Sequence, residues 1–170
     1  MTGDPVVQSA VTGDSEPAEK TGMRNAWGRI AVAYDEMFAE RMTHLTGRGL
    51  DLLAPEPHWD GLDIACGPGL TTAALAERLP AGRTLGIDFA EPMVARAHER
   101  LSKPGLEFAV DDAEHLSQPT GAFGAVTCSF GLMYCYDVRG ALEHMARVVT
   151  PAAGSWSSCG AGPPTSGGAR

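Results

Sequence analysis

The sequence has 170 residues, enough for one domain with its own hydrophobic core and too few for two full domains. Its 13 Lys and Arg residues against 21 Asp and Glu give a formal net charge of -8, which argues against nucleic acid as a partner. No apolar run approaches the roughly 18 residues of a membrane-spanning helix. The polar N-terminus lacks a signal-peptide pattern, so the sequence predicts a cytoplasmic protein. Composition leaves the oligomeric state open.

The N-terminal part of the sequence divides into a polar segment and a helical one. Residues 1–20 are polar and without hydrophobic periodicity, and they are predicted to be disordered. Residues 21–57 are predicted to form a helical cap. Its first helix is indicated by apolar residues at helical spacing, namely Trp27, Ile30, Ala31, Tyr34 and Phe38. A second helical stretch, Leu45–Leu53, ends before Pro55.

Residues 58–151 alternate between short apolar runs and helical segments. The predicted strands are Leu62–Ala65, Thr84–Ile87, Leu106–Val110 and Phe123–Ser129. The predicted helices are Thr71–Leu79, Glu91–Leu101 and Val138–Val149. Strands and helices that alternate at this spacing predict an α/β fold, a doubly wound parallel sheet with right-handed crossovers.

A loop of small residues follows the first predicted strand. Small residues at Ala65, Gly67 and Gly69 let the backbone turn sharply and approach a ligand closely. Thr71 then begins a helix whose free N–H groups favour a negative group such as a carboxylate. The same loop also fits a tight turn that binds nothing.

An acid at the end of the second predicted strand favours a nucleotide ligand. Asp88 follows the glycine loop by about 20 residues, where nucleotide-binding α/β folds place a carboxylate on the ribose hydroxyls. It could instead cap the following helix, although Ala90 and Glu91 lie nearer to that helix's start. The loop and the acid together favour the nucleotide interpretation.

The loop departs from the dinucleotide fingerprint. The position that would carry its third small residue is Thr72, which is too large for close packing of helix on strand. Asp63, just before the loop, would repel a pyrophosphate but suits a ligand with an amino group and a positive sulfonium. A nicotinamide-dependent NAD(P) oxidoreductase is therefore the less favoured alternative.

Several motifs in order resemble those of the class I S-adenosylmethionine-dependent methyltransferases. The resemblance is to the small-molecule branch that includes the ubiquinone and menaquinone C-methyltransferases. It is carried by Tyr34–Asp35, Leu62–Gly69, Gly86–Met93, Asp111–Leu116, Phe123–Ser129 and Arg147–Pro151. It implies a Rossmann-like sheet with N-terminal helices, S-adenosyl-L-methionine as cofactor and a small-molecule methyl acceptor.

The resemblance also implies roles for single residues at the methionine and ribose end. Asp63, Gly67 and Gly69 would hold the methionine part of the cofactor. Asp88 would bind the ribose. Tyr34 belongs to an N-terminal element that would cap the cofactor.

At the adenine end the resemblance implies that Phe89 and Met93 flank the base. Asp112 would accept a hydrogen bond from the adenine amino group, and the Ala113 N–H would meet a ring nitrogen. Ser129 would lie near the sulfonium.

Two assignments have alternatives. Asp111 could be the contact in place of Asp112, and Met93 could belong to the core. No general base is assigned, because His115 and Tyr134 fit surface or lining positions equally well, and the cofactor itself supplies the reactive methyl group. No metal site or disulfide is predicted, because the four cysteines form no C-x-x-C pair.

The sequence departs from the family pattern at its end. Residues 152–170 contain no Val, Ile, Leu, Met or Phe and are predicted to be a flexible Gly/Pro/Ser-rich tail rather than a fifth buried strand. The sheet would then lack the usual last strands. This predicts a truncated or frame-shifted methyltransferase, or a short natural product completed by a partner chain. A non-catalytic cofactor-binding fragment is the second alternative.

Overall fold

The computed structural model describes residues 17–151. Its first helix begins earlier in the chain than the sequence predicts. Helix α1 is Ala18–Tyr34, a π-helical turn Asp35–Ala39 follows, and helix α2 is Glu40–Leu53. The helix thus begins inside the segment 1–20 that was predicted to be disordered, and for residues 18–20 that prediction is wrong. The physical reason is distant in sequence, since Lys20 is buried in ion pairs with Asp112 and Glu114. Residues 1–16 lie outside the described residues.

The α/β core follows the predicted alternation closely. Its strands are β1 Gly61–Ile64, β2 Thr84–Asp88, β3 Leu106–Val110 and β4 Ala125–Cys128. Its helices are α3 Leu70–Arg78, α4 Glu91–Arg100 and α5 Val138–Val148. Two short 3-10 helices, Ala113–His115 and Leu132–Tyr134, follow β3 and β4. Residues 152–170, which carry the predicted tail, lie outside the described residues.

The sheet is parallel throughout, and its order is β3-β2-β1-β4. The order reverses between β1 and β4, which is the switch point where α/β sheets bind ligands at the carboxyl ends of their strands. The registers place Asp63 beside Gly86 on one neighbour and beside Thr127 on the other. Beyond β4, one parallel bridge joins Phe123 to Val149. The predicted doubly wound α/β sheet is confirmed.

The two strands at the switch point are buried on both faces. Every residue of β1 and β4 is buried, because helices cover both sides of the sheet. Leu62, Ile64 and Val126 are at most 1% exposed. This packing holds the carboxyl ends of β1 and β4 in a rigid position under the loops that follow them.

A buried carboxylate ties the helical cap to the core. Asp35, at the start of the π-helical turn, has a fully buried side chain. It accepts a hydrogen bond from Arg96 Nε at 2.7 Å and pairs with Arg100, and both arginines lie on α4. Because a buried charge is costly unless it is paired, these contacts select one position of the cap on α4.

We therefore expect Asp35→Asn to lower the free energy of unfolding by about 2 kcal/mol, since the change removes the charge that both arginines neutralise. Urea denaturation followed by circular dichroism measures the loss. Asp51→Asn is the matched control, because Asp51 pairs with Arg78 while 68% of its side chain is exposed. That control should cost less than about 1 kcal/mol. Equal losses in the two variants would contradict the proposed tie.

Candidate cofactor site

The loop between β1 and α3 is built from residues with positive φ. Ala65, Gly67 and Gly69 have φ angles of 57°, 54° and 86°. A side chain at Gly67 would meet nothing closer than Tyr34 Cε1 at 3.9 Å, so the backbone here is open to a ligand. A side chain at Gly69 would instead come within 2.7 Å of the Phe108 ring. Gly69 is therefore needed for packing at the start of α3.

Asp88 joins this loop to the end of β2. One carboxylate oxygen accepts from the Gly67 backbone N–H at 3.0 Å and the other from the Ala90 N–H at 2.9 Å. Burial raises the pKa of Asp88, and these two hydrogen bonds oppose that rise. Each oxygen keeps a lone pair beyond its backbone bond, so the carboxylate can still accept from a ligand hydroxyl.

Asp63 lies beneath the loop, where it is only 1% exposed. Its two oxygens accept from the hydroxyls of Thr72 at 2.7 Å and Thr127 at 2.8 Å. Burial raises the pKa of Asp63 to about 6, with the threonine hydrogen bonds opposing the rise and the charge of Asp88 adding to it. The large residue at position 72 thus has a specific partner in this fold.

The principal cleft opens over the carboxyl ends of the strands and has a volume of about 260 Å³. Eight of the residues assigned from the sequence line it: Tyr34, Gly67, Asp88, Phe89, Met93, Asp112, Ala113 and Ser129. Asp63 lines a smaller pocket of about 40 Å³, which shares Tyr34, Gly67 and Ser129 with the cleft. Gly69 lines neither of these two pockets.

Both acids after β3 line the cleft, and Asp112 accepts fewer hydrogen bonds from its own loop than Asp111 does. Asp111 accepts from the Ser117 N–H and hydroxyl and from the Gln118 amide, which occupies it within its own loop. Asp112 precedes the 3-10 helix of Ala113 and accepts from the Glu114 N–H at 3.0 Å. This geometry favours Asp112 over Asp111 as the group that meets a ligand.

Phe89 and Met93 both line the cleft. The Arg24 guanidinium lies 5.6 Å from the centre of the Phe89 ring, on α1 above it. Met93 lines the cleft and is also 2% exposed in a core cluster with Ala31 and Ala90. Met93 therefore both lines the cleft and belongs to the core.

Sequence reasoning missed a cluster of aromatic rings that lines the cleft. The rings of Trp27 and Tyr134 meet edge to face at 5.0 Å, and Tyr34 contacts Trp27 at 5.5 Å. Burial raises the pKa of Tyr34, and the neighbouring Tyr134 and Asp88 raise it further, so its phenol remains a hydrogen-bond donor. The helical spacing of Trp27 and Tyr34 indicated a buried helix face but not that this face would cover a cleft.

The structure places His115, which the sequence offered as a possible general base, outside the cleft. His115 has a side chain that is 78% exposed, 3.9 Å from Asp112, and it does not line the cleft. Among residues 17–151, no group of three or more His, Cys, Asp or Glu side chains could hold a metal ion. In the same range, no helix is long and apolar enough to cross a membrane.

Residues 62–152 match the family model described as a methyltransferase domain. This match covers more than half of the chain and includes the glycine loop, Asp88, Asp112 and Ser129. The chain therefore belongs to the methyltransferase domain family, and its fold and motifs are those of a class I S-adenosylmethionine-dependent methyltransferase. The nicotinamide alternative is not favoured.

Individual relatives are methyltransferases of small molecules. The chain is 34% identical over 127 residues to nocamycin O-methyltransferase from Saccharothrix syringae, covering 72% of this chain and 45% of the relative. It is 40% identical over 106 residues to a demethylmenaquinone methyltransferase from Thermus thermophilus, covering 61% of this chain and 48% of the relative. The chain thus spans about half the length of these curated relatives.

A solved structure supports the same family. The S-adenosylmethionine-dependent methyltransferase from Mesorhizobium loti superimposes with a TM-score of 0.57 at 26% identity, covering 64% of this chain and 50% of that one. S-adenosylmethionine is accordingly the cofactor of the family to which this chain belongs.

The buried Asp63 generates a prediction about stability and pH. Its pKa is raised from 3.8 to about 6 in the folded chain, so the folded state holds the proton more tightly than the unfolded state. Stability should therefore fall as the pH rises from about 4 to about 6, by about 3 kcal/mol in total. Asp63→Asn should remove this fall, because the amide does not titrate.

The measurement is urea denaturation of both proteins across that pH range. The difference in unfolding free energy between wild type and D63N isolates the contribution of Asp63 from that of the other acidic residues. If the unfolding free energies of wild type and D63N change in parallel from pH 4 to pH 7, the elevated pKa of Asp63 is contradicted.

Proposed function

We propose that this chain binds S-adenosylmethionine in the cleft and is the cofactor-binding part of an enzyme that methylates a small-molecule acceptor. The observation that carries the proposal is the pairing of Asp88 with the backbone N–H of Gly67. It joins the glycine loop, which follows β1 at the switch point of the sheet, to the acid that ends β2, where a nucleoside can be held by its ribose.

The adenosine part is proposed to lie between Asp88 and the 3-10 helix that follows β3. Asp88 would accept from the ribose hydroxyls, and Phe89 and Met93 would flank the base. Asp112 would accept from the adenine amino group, and the Ala113 N–H would donate to a ring nitrogen. All five residues line the principal cleft, which supports these roles.

The methionine part is proposed to extend over the glycine loop toward the smaller pocket. Gly67 and Ser129 line both pockets, and the negative charge of Asp63 beneath them favours an amino group and a sulfonium. Gly69 would contribute through the conformation of the loop, since it packs against Phe108. Tyr34 would cap the cofactor from the helical side.

The acceptor is proposed to bind beside the apolar residues of the cleft. Trp27, Met133 and Tyr134 line it and are not assigned to the cofactor. An apolar small molecule therefore fits better than a charged one. A cytoplasmic location stays a prediction from the sequence.

Titration with the cofactor tests the proposal directly. At about 100 times its dissociation constant, S-adenosylmethionine should stabilise the chain by about 2.7 kcal/mol, seen as a rise in melting temperature. NAD⁺ at the same concentration should produce no rise. A folded chain that S-adenosylmethionine does not stabilise would reject the proposed function. Stabilisation without release of S-adenosylhomocysteine in the presence of any apolar acceptor would support a non-catalytic binding fragment instead.

Asp88→Asn should weaken binding of S-adenosylmethionine at least about tenfold, because the carboxylate accepts ribose hydroxyls more strongly than a neutral amide. Isothermal calorimetry measures the affinity, and circular dichroism shows whether the variant is folded. Asp51→Asn is the control, because Asp51 lies on α2 with 68% of its side chain exposed and should leave the affinity unchanged. An unchanged affinity of D88N for S-adenosylmethionine would show that Asp88 does not bind the cofactor.

A further inference from the structure

Lys20 is buried at the adenine end of the cleft although it comes from the polar N-terminal part of the chain. Only 5% of the residue is exposed, and it lines the cleft. Its ammonium lies 2.6 Å from Asp112 Oδ2 and 3.1 Å from Glu114 Oε2. No motif of the family pattern includes it, so its position calls for a separate explanation.

The charge of Lys20 is retained in this environment. Burial alone would lower the pKa of Lys20, but hydrogen bonds to Asp112 and Glu114 outweigh that effect and raise it. In turn, burial alone would raise the pKa of Asp112, yet the bond to Lys20 lowers it. The pair is therefore ionised at neutral pH, and Asp112 is a charged acceptor.

The Asp112 carboxylate is held from both sides. The Glu114 N–H donates to Oδ1 at 3.0 Å, while Lys20 binds Oδ2. Glu114 is itself fixed, because its Oε1 accepts from the Tyr136 N–H at 2.9 Å. An acceptor bound through both oxygens cannot rotate freely, so its remaining lone pairs keep one orientation in the cleft.

Lys20 also anchors one end of helix α1. Asp35, just beyond the other end, is tied to Arg96 on α4. Between these two anchors, α1 carries Trp27 and Tyr34 into the cleft. The helix is thus held at both ends while its middle covers the site.

We infer that Lys20 is a positioning residue for the cofactor: it orients Asp112 toward the adenine amino group and closes α1 over the adenine end. The inference rests on the proposed function, because it assumes that Asp112 meets the adenine. It predicts that recognition of the adenine amino group, and not only stability, depends on Lys20.

The test compares two ligands that differ at that amino group. Calorimetry on the full chain gives the affinities for S-adenosylhomocysteine and for its purine-riboside analogue, in which a hydrogen atom replaces the amino group and the ring nitrogens stay acceptors. Wild type should prefer the adenine ligand at least about tenfold, the size of one hydrogen bond to a charged group. Lys20→Met should lose most of this preference, because Asp112 is no longer oriented.

Matched variants separate positioning from general damage to the fold. Lys103→Met should keep the preference, because Lys103 makes an exposed ion pair with Glu77 at 3.7 Å. Lys20→Arg should restore part of it by returning the charge. If K20M does not fold, Lys20→Gln carries the same expectation of a lost preference, since an uncharged side chain leaves Asp112 and Glu114 to repel each other.

The outcomes distinguish the inference from the proposed function. An unchanged preference in folded K20M or K20Q overturns the inference, and so does tighter binding of S-adenosylhomocysteine, which would make Lys20 a competitor for Asp112. Asp112→Asn must also lose the preference. If D112N retains it, Asp112 does not bind the adenine, and both the assigned site and the inference fail. If D112N loses it and K20M retains it, only the inference fails.

Discussion

The cleft depends on one buried carboxylate at the carboxyl edge of the sheet. Asp88 ends β2, and its two oxygens accept the backbone N–H groups of Gly67 and Ala90. These bonds satisfy donors of two different loops and hold the loops at a fixed separation. A carboxylate in this position is costly to bury, so it favours the single arrangement in which both donors reach it. The arrangement holds the glycine loop beside the start of α4.

A second buried acid supports the same loop from below. Asp63 is paired with Thr72 on α3 and Thr127 on β4, so it links three elements around the glycine loop. This network explains why a threonine occupies a position where a dinucleotide-binding loop needs a small residue. Thr72 thus departs from the dinucleotide-binding pattern and also stabilises the fold through its hydrogen bond to Asp63.

The helical cap decides what the cleft can hold. Charged groups, including Lys20, Asp88 and Asp112, line the cleft together with the paired rings of Trp27 and Tyr134. A mixed lining of this kind suits a cofactor with a polar nucleoside and an acceptor of apolar character. Because the chain spans about half the length of its curated relatives, cofactor binding and methyl transfer are separate questions and need separate measurements.

Local patterns in the sequence were sufficient for the elements and the motifs. The strand Leu106–Val110 was predicted with the bounds it has, and the parallel sheet followed from the alternation of strand and helix. The cleft-lining position of Asp88 also followed, because carboxyl ends of parallel strands meet at one edge, and that of Asp112 was implied by the family resemblance. Such features depend on residues close together in the chain.

The tertiary structure decided what depends on contacts between distant residues. Lys20 lies in a stretch without hydrophobic periodicity, and its burial at the start of α1 is matched by ion pairs with Asp112 and Glu114, which are distant in sequence. The approach of Gly69 to Phe108 and the meeting of Trp27 with Tyr134 are equally invisible in local sequence. Sequence by itself determined the sheet, the glycine loop and the acids of the cleft, since their periodicity and spacing are local. Packing decided which of these groups are buried, which are ion-paired and which face the cleft. Burial and ion pairing arise only when segments distant in the chain come together.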